Sequence, residues 1–389
     1  MNVKKWNRIL SYVLVALVSI TVTASVMLGI GVMDRKEQSK LDALEELILK
    51  CFIGEADQTL MGDAAANAMV NALGDRWSYY IPADQMQSYN EQKENAYVGI
   101  GVTITVREDG VGLDIVQVAE GGSAKEAGVR VGDVIVGVDG TSIKDMSVDD
   151  VKNRIRGEAN TQVELTILRD GKEQTLAVTR KQIKTPVATG KMLANKVGYI
   201  QIVNFNENCA SETIAAAKKL MEDGAEKLLF DVRFNPGGYV KELVAILNYL
   251  LPEGPIFISE DYAGKRTEEL SDPECIDLPM AVLVNAESYS AAEFFAAALS
   301  EYGVATVIGE QTFGKGYFQN TYILPDGSAV GLSIGKYFTP KGISLAEKGI
   351  TPDVVVPVDE ETAAAIYAGL LNPDQDPQIQ ATLKALKEK

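Results

Sequence analysis

The chain has 389 residues, of which 46% are hydrophobic, so it is long enough for two or three domains with buried cores. Its 37 basic and 54 acidic residues give a net charge of −17, which argues against nucleic-acid binding. The sequence contains no histidine, and this excludes a Ser-His-Asp triad and a Cys-His dyad. Cys51, Cys209 and Cys275 match no metal-site spacing, so we predict no metal and no cofactor, while a Cys209–Cys275 disulfide stays open.

The N-terminal residues have the pattern of a membrane anchor. Residues 1–8 form a basic segment, and residues 9–33 contain no charged side chain. About 25 apolar residues are enough to cross a bilayer at 1.5 Å per residue, and basic residues in front of the span place the N-terminus in the cytoplasm. We therefore predict a single-pass anchor in the cell membrane, with the remainder of the chain extracytoplasmic. A signal peptide cleaved after Ala24 is the alternative.

A helical region is predicted over residues 37–95. Leu41, Leu44, Ile48 and Phe52 recur at helical spacing, and residues 64–73 form a second apolar helical stretch. Such small amphipathic helices bury little surface alone, so we expect them to pack on the main body or on a second subunit.

Residues 96–183 have the pattern of a compact module of short strands. Strand patterns cover residues 97–104, 113–118, 132–140 and 163–168, and a short helix with a glycine stop covers 123–128. Ser147 is the predicted N-cap of a second helix that ends at Ile155. We expect the module to form a small domain with its own core.

This module resembles a PDZ domain. The likeness rests on Gly99-Ile-Gly101, the helix at 123–128, Gly132-Asp-Val-Ile and Asp139-Gly140. It implies that the C-terminus of a peptide adds as a strand between residues 101–105 and the helix at 147–155, with its carboxylate on backbone N–H groups. The peptide-binding residues that the resemblance implies are Tyr97, Val98, Gly99, Ile100, Gly101 and Val102.

Residues 184–357 alternate between strand and helix patterns. Strands are predicted at 197–202, 227–233 and 278–285, and helices at 210–222 and 240–251. Strand-to-helix turns gather at one edge of an α/β sheet, where active sites usually lie. We therefore expect the turn at 235–238 and Ser290, which begins the next helix, to lie side by side. Residues 358–389 form a C-terminal helical segment.

Two residues are candidates for nucleophilic chemistry. Because the chain has no histidine, a serine nucleophile needs another base, and a lysine kept uncharged by burial is a known substitute. We predict that Ser290 is a nucleophile and that Lys315 is its base. Gln319 is expected to orient the amine without adding a charge. Three aromatic side chains are expected to keep water from the amine: Phe313, Tyr317 and Phe318.

Other interpretations of the same residues remain open. Ser290-Ala-Ala-Glu293 matches a capping box, in which the serine would only cap a helix. Gly314-Lys315-Gly316 is also typical of a surface turn. Residues 309–315 match the first seven positions of a P-loop, but Gly316 stands where Mg²⁺ needs a serine or threonine.

Taken together, these stretches resemble the carboxy-terminal processing peptidases, also called tail-specific proteases, over nearly all of residues 40–357. Besides the PDZ module, the likeness rests on six motifs: Asp75-Arg-Trp-Ser-Tyr, Asp231-Val-Arg-Phe-Asn-Pro-Gly-Gly, the Ser290 helix, Thr312-Phe-Gly-Lys-Gly-x-x-Gln, Ile334-Gly-Lys-Tyr-Phe-Thr-Pro and Gly349-Ile-Thr-Pro-Asp. The resemblance implies an α/β crotonase-like (ClpP/crotonase-type) core with an inserted PDZ domain. It also allows a homodimer formed through terminal helices.

The same resemblance implies a function. It places a Ser-Lys dyad, assisted by a glutamine, at Ser290, Lys315 and Gln319. The oxyanion hole would use the N–H of Ala291 and a glycine N–H of Gly237 or Gly238. The expected partners are protein or peptide substrates with exposed C-termini.

One departure from the family pattern bears on this function. The segment before the nucleophile is commonly Gly-Ser-Ala-Ser in the family, and here it is Glu287-Ser-Tyr-Ser290. Glu287 adds a carboxylate and Tyr289 adds bulk beside the nucleophile, so the adjoining substrate pocket is expected to differ in shape. A catalytically inactive PDZ scaffold that binds protein C-termini is the alternative function.

Overall fold

The computed structural model describes residues 40–107, 110–119 and 121–387. The predicted basic segment at 1–8 and the predicted anchor at 9–33 lie outside these residues. Within the described ranges, no helix is both long and apolar enough to cross a membrane. The chain divides into two compact units, residues 1–75 and residues 76–389.

The described part of the first unit contains two helices, α1 (Lys40–Cys51) and α2 (Gln58–Asn71). Asp57 caps α2 by accepting a hydrogen bond from the Leu60 N–H at 3.0 Å. The leucines of α1 are largely exposed, and the packing of these helices on the main body or on a second subunit stays a prediction.

The second unit begins with β1 (Tyr79–Ile81) and α3 (Met86–Glu94). The strands that follow are β2 (Ala96–Gly99), β3 (Val102–Val106), β4 (Leu113–Val118), β5 (Val134–Val138), β6 (Thr141–Ser142), β7 (Gln162–Arg169), β8 (Lys172–Thr179) and β9 (Lys181–Lys184). Between them lie the helices α4 (Ser123–Glu126) and α5 (Val148–Ile155). Strands β3-β4-β5-β7-β8 form one sheet, and β2 pairs with β9 where the chain enters and leaves the module.

The module has a core of its own, in which Ile115, Ile135 and Leu165 are fully buried. Ser147 caps α5, as predicted, by accepting a hydrogen bond from the Asp150 N–H at 3.1 Å. A groove runs beside β3 and α5 and is lined by residues 97, 99–104, 152, 155 and 156. Five of the six residues predicted to bind peptide therefore line this groove.

The remaining elements build the larger domain. In chain order they are β10 (Ala188–Leu193), β11 (Val197–Ile202), α6 (Cys209–Glu222), β12 (Lys227–Asp231), α7 (Val240–Leu250), β13 (Gly254–Asp261), β14 (Arg266–Ser271), β15 (Met280–Val284), α8 (Ala291–Glu301), β16 (Ala305–Gly309), β17 (Tyr317–Ile323), β18 (Ala329–Phe338), β19 (Val354–Val355), α9 (Glu360–Tyr367) and α10 (Pro377–Lys387). One sheet has the order β10-β11-β12-β15-β16-β19, parallel except for β10.

This sheet is covered on both faces. Leu228 and Phe230 of β12 pack into the core that contains α6, α7 and α8, whereas Leu229 packs against α10. Burial on both faces explains why β12 has no hydrophobic alternation. A second sheet is organised around the long strand β18, which pairs with β1, β13 and β17, while β14 pairs with β13.

The disulfide that the sequence left open is not formed. Cys51, Cys209 and Cys275 are all free, with Cys209 buried at the start of α6 and the other two exposed. Burial raises the pKa of the Cys209 thiol to about 12, which makes it an unreactive core residue.

Candidate active site

Two strand-to-helix turns meet at the carboxyl edge of the parallel strands. The chain leaves β12 through a turn at 234–238, and it leaves β15 through residues 285–290 before α8 begins. Gly237 has a φ of +84°, and a Cβ added to it would lie 2.7 Å from the Cβ of Ser290. The glycine turn therefore lies directly against the candidate nucleophile, and only a glycine fits at this distance.

Ser290 lies in an unusual backbone conformation. Its φ is +58° and its ψ is −124°, and the residue is 6% exposed. A non-glycine residue in this region carries strain of about 1–3 kcal/mol, which a fold retains mainly where the surroundings impose it. Such strained serines between a strand and a helix project the hydroxyl out of the turn, a geometry associated with nucleophiles.

Backbone N–H groups beside Ser290 differ in their partners. The Gly237 N–H donates to Oδ1 of Asn235 at 2.8 Å, and the Ser290 N–H donates to Glu293 at 2.9 Å. Among the described residues, neither Gly238 nor Ala291 donates its N–H to another protein group. Of the three N–H groups that the resemblance implies for an oxyanion hole, the structure therefore leaves those of Gly238 and Ala291 available to an outside acceptor and pairs that of Gly237.

Lys315 is held by its backbone and by an aromatic ring. Its N–H donates to Oε2 of Glu293 at 2.9 Å, and its Nζ lies 4.6 Å from the ring centroid of Trp77. The flanking glycines are buried, and a Cβ on Gly316 would lie 2.6 Å from the backbone N of Ala346. The segment is therefore not a surface turn. It leads into β17 rather than into a helix, so the P-loop interpretation is wrong.

The aromatic surroundings of Lys315 differ from the prediction. Phe318 instead stacks on Tyr337, with ring centroids 5.0 Å apart. The ring beside the amine belongs to Trp77, a residue of the Asp75-Arg-Trp-Ser-Tyr motif, which lies far away in the sequence. The motif contributed to the family resemblance, but nothing in its local pattern indicated that Trp77 would contact Lys315.

Tyr289 and Phe313 complete an aromatic cluster with Trp77 beside the candidate nucleophile. The Phe313 ring lies 5.3 Å from Trp77 and 5.6 Å from Tyr289, and the Arg76 guanidinium covers Trp77 and Phe313 at 4.7 Å. Burial, together with the nearby Glu287 carboxylate, raises the pKa of Tyr289. The departure from the family pattern at position 289 therefore adds a ring to the wall beside Ser290.

Gln319 lies on β17, after a bulge in its pairing with β18. Its amide nitrogen donates to Oγ of Ser333 at 3.0 Å and to the Tyr317 carbonyl at 3.3 Å. These bonds fix the orientation of the amide within the strand.

A buried ion cluster lies at the end of β12, directly before the glycine turn in the chain. Arg233 forms two hydrogen bonds with Asp231, at 2.9 and 2.6 Å, and an ion pair with Asp376 at 2.9 Å. Tyr199 also donates to Asp231 at 2.7 Å. The cluster ties the end of β12 to the segment before α10, so the C-terminal helix helps to fix the strand that leads into the turn.

Glu293 is the site residue whose role the sequence did not indicate. It is fully buried in the first turn of α8, and its carboxylate accepts four hydrogen bonds. Burial raises the pKa of Glu293, while the donated hydrogen bonds oppose that rise. The capping-box pattern predicted its bond to the Ser290 N–H but gave no sign of the three bonds to residues 312–315.

Comparisons with known proteins agree with this geometry. The model of peptidase family S41 matches residues 196–356, and a PDZ domain model matches residues 115–169. The "Probable CtpA-like serine protease" of Staphylococcus aureus (strain N315) is 32% identical over 367 residues, which cover 91% of this chain and 73% of that protein. The chain belongs to peptidase family S41. The "Carboxy-terminal processing protease CtpA" of Bacillus subtilis (strain 168) is also 33% identical over 318 residues, which cover 81% of this chain and 68% of that protein.

A solved structure shows the same fold. The crystal structure of an S41 protease candidate from Bacteroides fragilis NCTC 9343 matches 89% of this chain and 97% of its own, with a TM-score of 0.51 and 15% identity. The family resemblance seen in the sequence is confirmed, and this S41 member is a serine-type protease with a PDZ domain. The S41 match includes Ser290, Lys315 and Gln319.

Proposed function

We propose that this S41 protein is an endopeptidase that cleaves with a Ser-Lys dyad. Ser290 is the nucleophile, Lys315 is the base and Gln319 orients the amine. The observation that carries the proposal is the strained, buried Ser290 packed against the glycine turn. The oxyanion hole is formed by Gly238 and Ala291, whose N–H groups have no acceptor among the described residues. Gly237 has no side chain, and this allows the turn to approach Ser290.

The chemistry follows from these positions. Neutral Lys315 accepts the hydroxyl proton of Ser290 as the oxygen attacks a peptide carbonyl, and the two N–H groups stabilise the resulting oxyanion. Lys315 then gives the proton to the leaving amine, and an acyl-enzyme forms. Water hydrolyses this ester with Lys315 again acting as the base, which restores the serine. Each oxyanion donor contributes about 10²–10³-fold to the rate.

The PDZ groove supplies substrate selection in this proposal. A peptide C-terminus adds as a strand beside β3, and residues 97–102 receive its carboxylate. Ile100 and Ile155 line the groove with apolar surface, which favours apolar tails. The substrates are therefore proteins with exposed, mostly apolar C-termini.

Several finer parts of the proposal rest on sequence alone. The anchor at residues 9–33 places the protease on the extracytoplasmic side of the cell membrane, where exported and membrane-bound proteins are its substrates. A crotonase-like type for the core and a homodimer through terminal helices stay predictions.

The decisive test compares variants of the full-length protein. Ser290→Ala and Lys315→Ala are each expected to abolish cleavage of an unstructured peptide with apolar C-terminal residues, while thermal unfolding shows that both remain folded. Ser300→Ala, within α8, and Lys219→Ala, at an exposed position of α6, are the matched controls and should keep wild-type rates. Cleavage by purified Lys315→Ala would refute the dyad.

A tail-binding scaffold without activity is the second candidate function. The observation in its favour is the ring of Tyr289, which packs beside the nucleophile with Trp77 and Phe313. An active-site-directed phosphonate reagent separates the two functions, because labelling of Ser290 requires an activated hydroxyl. Binding of apolar-tailed peptides with neither labelling nor cleavage would favour the scaffold.

A further inference from the structure

The carboxylate of Glu293 joins the two halves of the site. Its Oε2 accepts hydrogen bonds from the N–H groups of Ser290 and Lys315, both at 2.9 Å. The backbones that carry the nucleophile and the base therefore meet at one oxygen atom. The other oxygen, Oε1, accepts from the Thr312 hydroxyl at 2.6 Å and from the Gly314 N–H at 2.7 Å.

All four groups around Glu293 act as donors. Three are backbone N–H groups, and the Thr312 hydroxyl itself accepts the Ile350 N–H at 2.7 Å, which directs its proton toward Glu293. A carboxylate accepts at both oxygens and donates at neither, whereas an amide carries two donor hydrogens on one side. The environment therefore matches an ionised carboxylate, and hydrogen bonds of this charge-assisted kind are stronger than neutral ones.

We infer that Glu293 is a positioning residue, which holds the backbone of Lys315 at a fixed place relative to Ser290 and thereby sets the reach of the amine to the hydroxyl. One other backbone link joins the same segments, from the Phe313 N–H to the Ser288 carbonyl at 3.3 Å, and it is longer than the bonds to Glu293. This inference rests on the proposed function, because it assumes that Ser290 and Lys315 react as a dyad.

Glu293→Gln tests the inference with little change in volume. If the amide nitrogen replaces Oε2, the N–H groups of Ser290 and Lys315 face a donor. If the amide nitrogen replaces Oε1, the Gly314 N–H faces a donor instead of an acceptor. Either way a bond to one of the two segments is lost. Because a misplacement of about 1 Å costs on the order of 10²-fold in rate, we expect kcat to fall by about that factor.

Glu212 offers a matched control. It lies in the first turn of α6, and its Oε2 also accepts two backbone N–H groups from a distant segment, those of Val187 at 2.7 Å and Ala188 at 3.2 Å. Glu212→Gln therefore makes the same chemical change at a carboxylate that contacts no residue of the proposed dyad. Thr312→Val is a milder change at the Glu293 site, since it removes one neutral donor and leaves three.

The experiment measures kcat, KM and the rate of Ser290 labelling by a phosphonate reagent, on folded full-length protein. For Glu293→Gln we expect kcat and the labelling rate to fall together by about 10²-fold while KM stays within about threefold of wild type. Thr312→Val should lower kcat by about 3–10-fold. Glu212→Gln should leave kcat within about twofold even if it lowers the unfolding temperature.

Two results would overturn the inference. One is a kcat for Glu293→Gln equal to that of Glu212→Gln, which would mean that the residue only stabilises the fold. The other, which decides the matter if Glu293→Gln does not fold, is a wild-type kcat for Thr312→Val. Cleavage by Ser290→Ala would instead refute the proposed function, so the two failures are distinguishable.

Discussion

Gly237→Ala tests whether the close packing of the glycine turn against Ser290 is needed for catalysis. The new Cβ would lie 2.7 Å from the Cβ of Ser290 and 2.9 Å from both the Ala291 nitrogen and the Tyr289 carbonyl oxygen. These neighbours are backbone atoms or the first atom of a short side chain, so no flexible group can move aside. Either the turn or the start of α8 must shift.

The size of the effect follows from two terms. Alanine at a φ of +84° is strained by about 1–2 kcal/mol, which lowers the free energy of unfolding. The overlap at Ser290 acts on the rate as well as on stability, because a shift of about 1 Å between the proposed nucleophile and its oxyanion donors costs on the order of 10²-fold. That factor corresponds to about 2.7 kcal/mol in the activation free energy.

Gly224→Ala separates the two terms. Gly224 follows α6 with a φ of +95°, so alanine is similarly strained there, but a Cβ would meet nothing within 4 Å. Both variants should lose stability in urea unfolding, Gly237→Ala the more because of the overlap with backbone atoms. Only Gly237→Ala should lose kcat, measured on a peptide with apolar C-terminal residues below the unfolding temperature. Equal kcat values for the two folded variants would refute the reasoning.

Three further predictions concern the core, the PDZ module and acid stability. Phe295→Ala, which empties a fully buried site in the main core, should lower the free energy of unfolding by about 3–5 kcal/mol in urea titration. Deleting residues 97–183, whose cut ends adjoin the paired residues Ala96 and Lys184, should change the preference for apolar tails more than the labelling of Ser290. Unchanged cleavage of all peptides would argue against substrate selection by the PDZ groove. Burial opposes ionisation of Asp133, but its bonds with Arg169 prevail and lower its pKa, so this stabilisation is present at neutral pH and is lost as the pH falls through the lowered pKa. Arg169→Gln should therefore flatten the fall in urea midpoint below about pH 4, and an unchanged slope would contradict the assignment.

Much of the fold follows from local patterns. The limits of β4 and β11 agree with the predicted strands at 113–118 and 197–202, because each is rich in β-branched residues and follows a glycine or a polar residue. The helix capped by Ser147 was predictable for a similar reason, since a cap and its acidic first turn lie within a few residues. Where the contacts that define an element are close in sequence, the local pattern is sufficient to predict its limits.

The contacts of the site depend on long-range packing, and local patterns carry no information about them. Trp77 reaches Lys315 only because β1 and β17 both pair with β18. The prediction that Phe318 shields the Lys315 amine is wrong for the same reason, since the pleat of β17 directs the Phe318 ring to Tyr337. The prediction from neighbours in sequence therefore named the wrong aromatic contact for Lys315, whereas its choice of this lysine as the base stays a prediction.

Glu293 shows that a capping interpretation and a functional one need not exclude each other. From the sequence, Ser290 is either a helix cap or a nucleophile, and the capping partner Glu293 favours the first. In the structure the same carboxylate that accepts the Ser290 N–H also accepts the Lys315 N–H. Because a helix N-terminus must satisfy its N–H groups in any case, a glutamate placed there can also fix a second segment. The cap is thus part of the geometry that holds the backbones of Ser290 and Lys315 at one carboxylate.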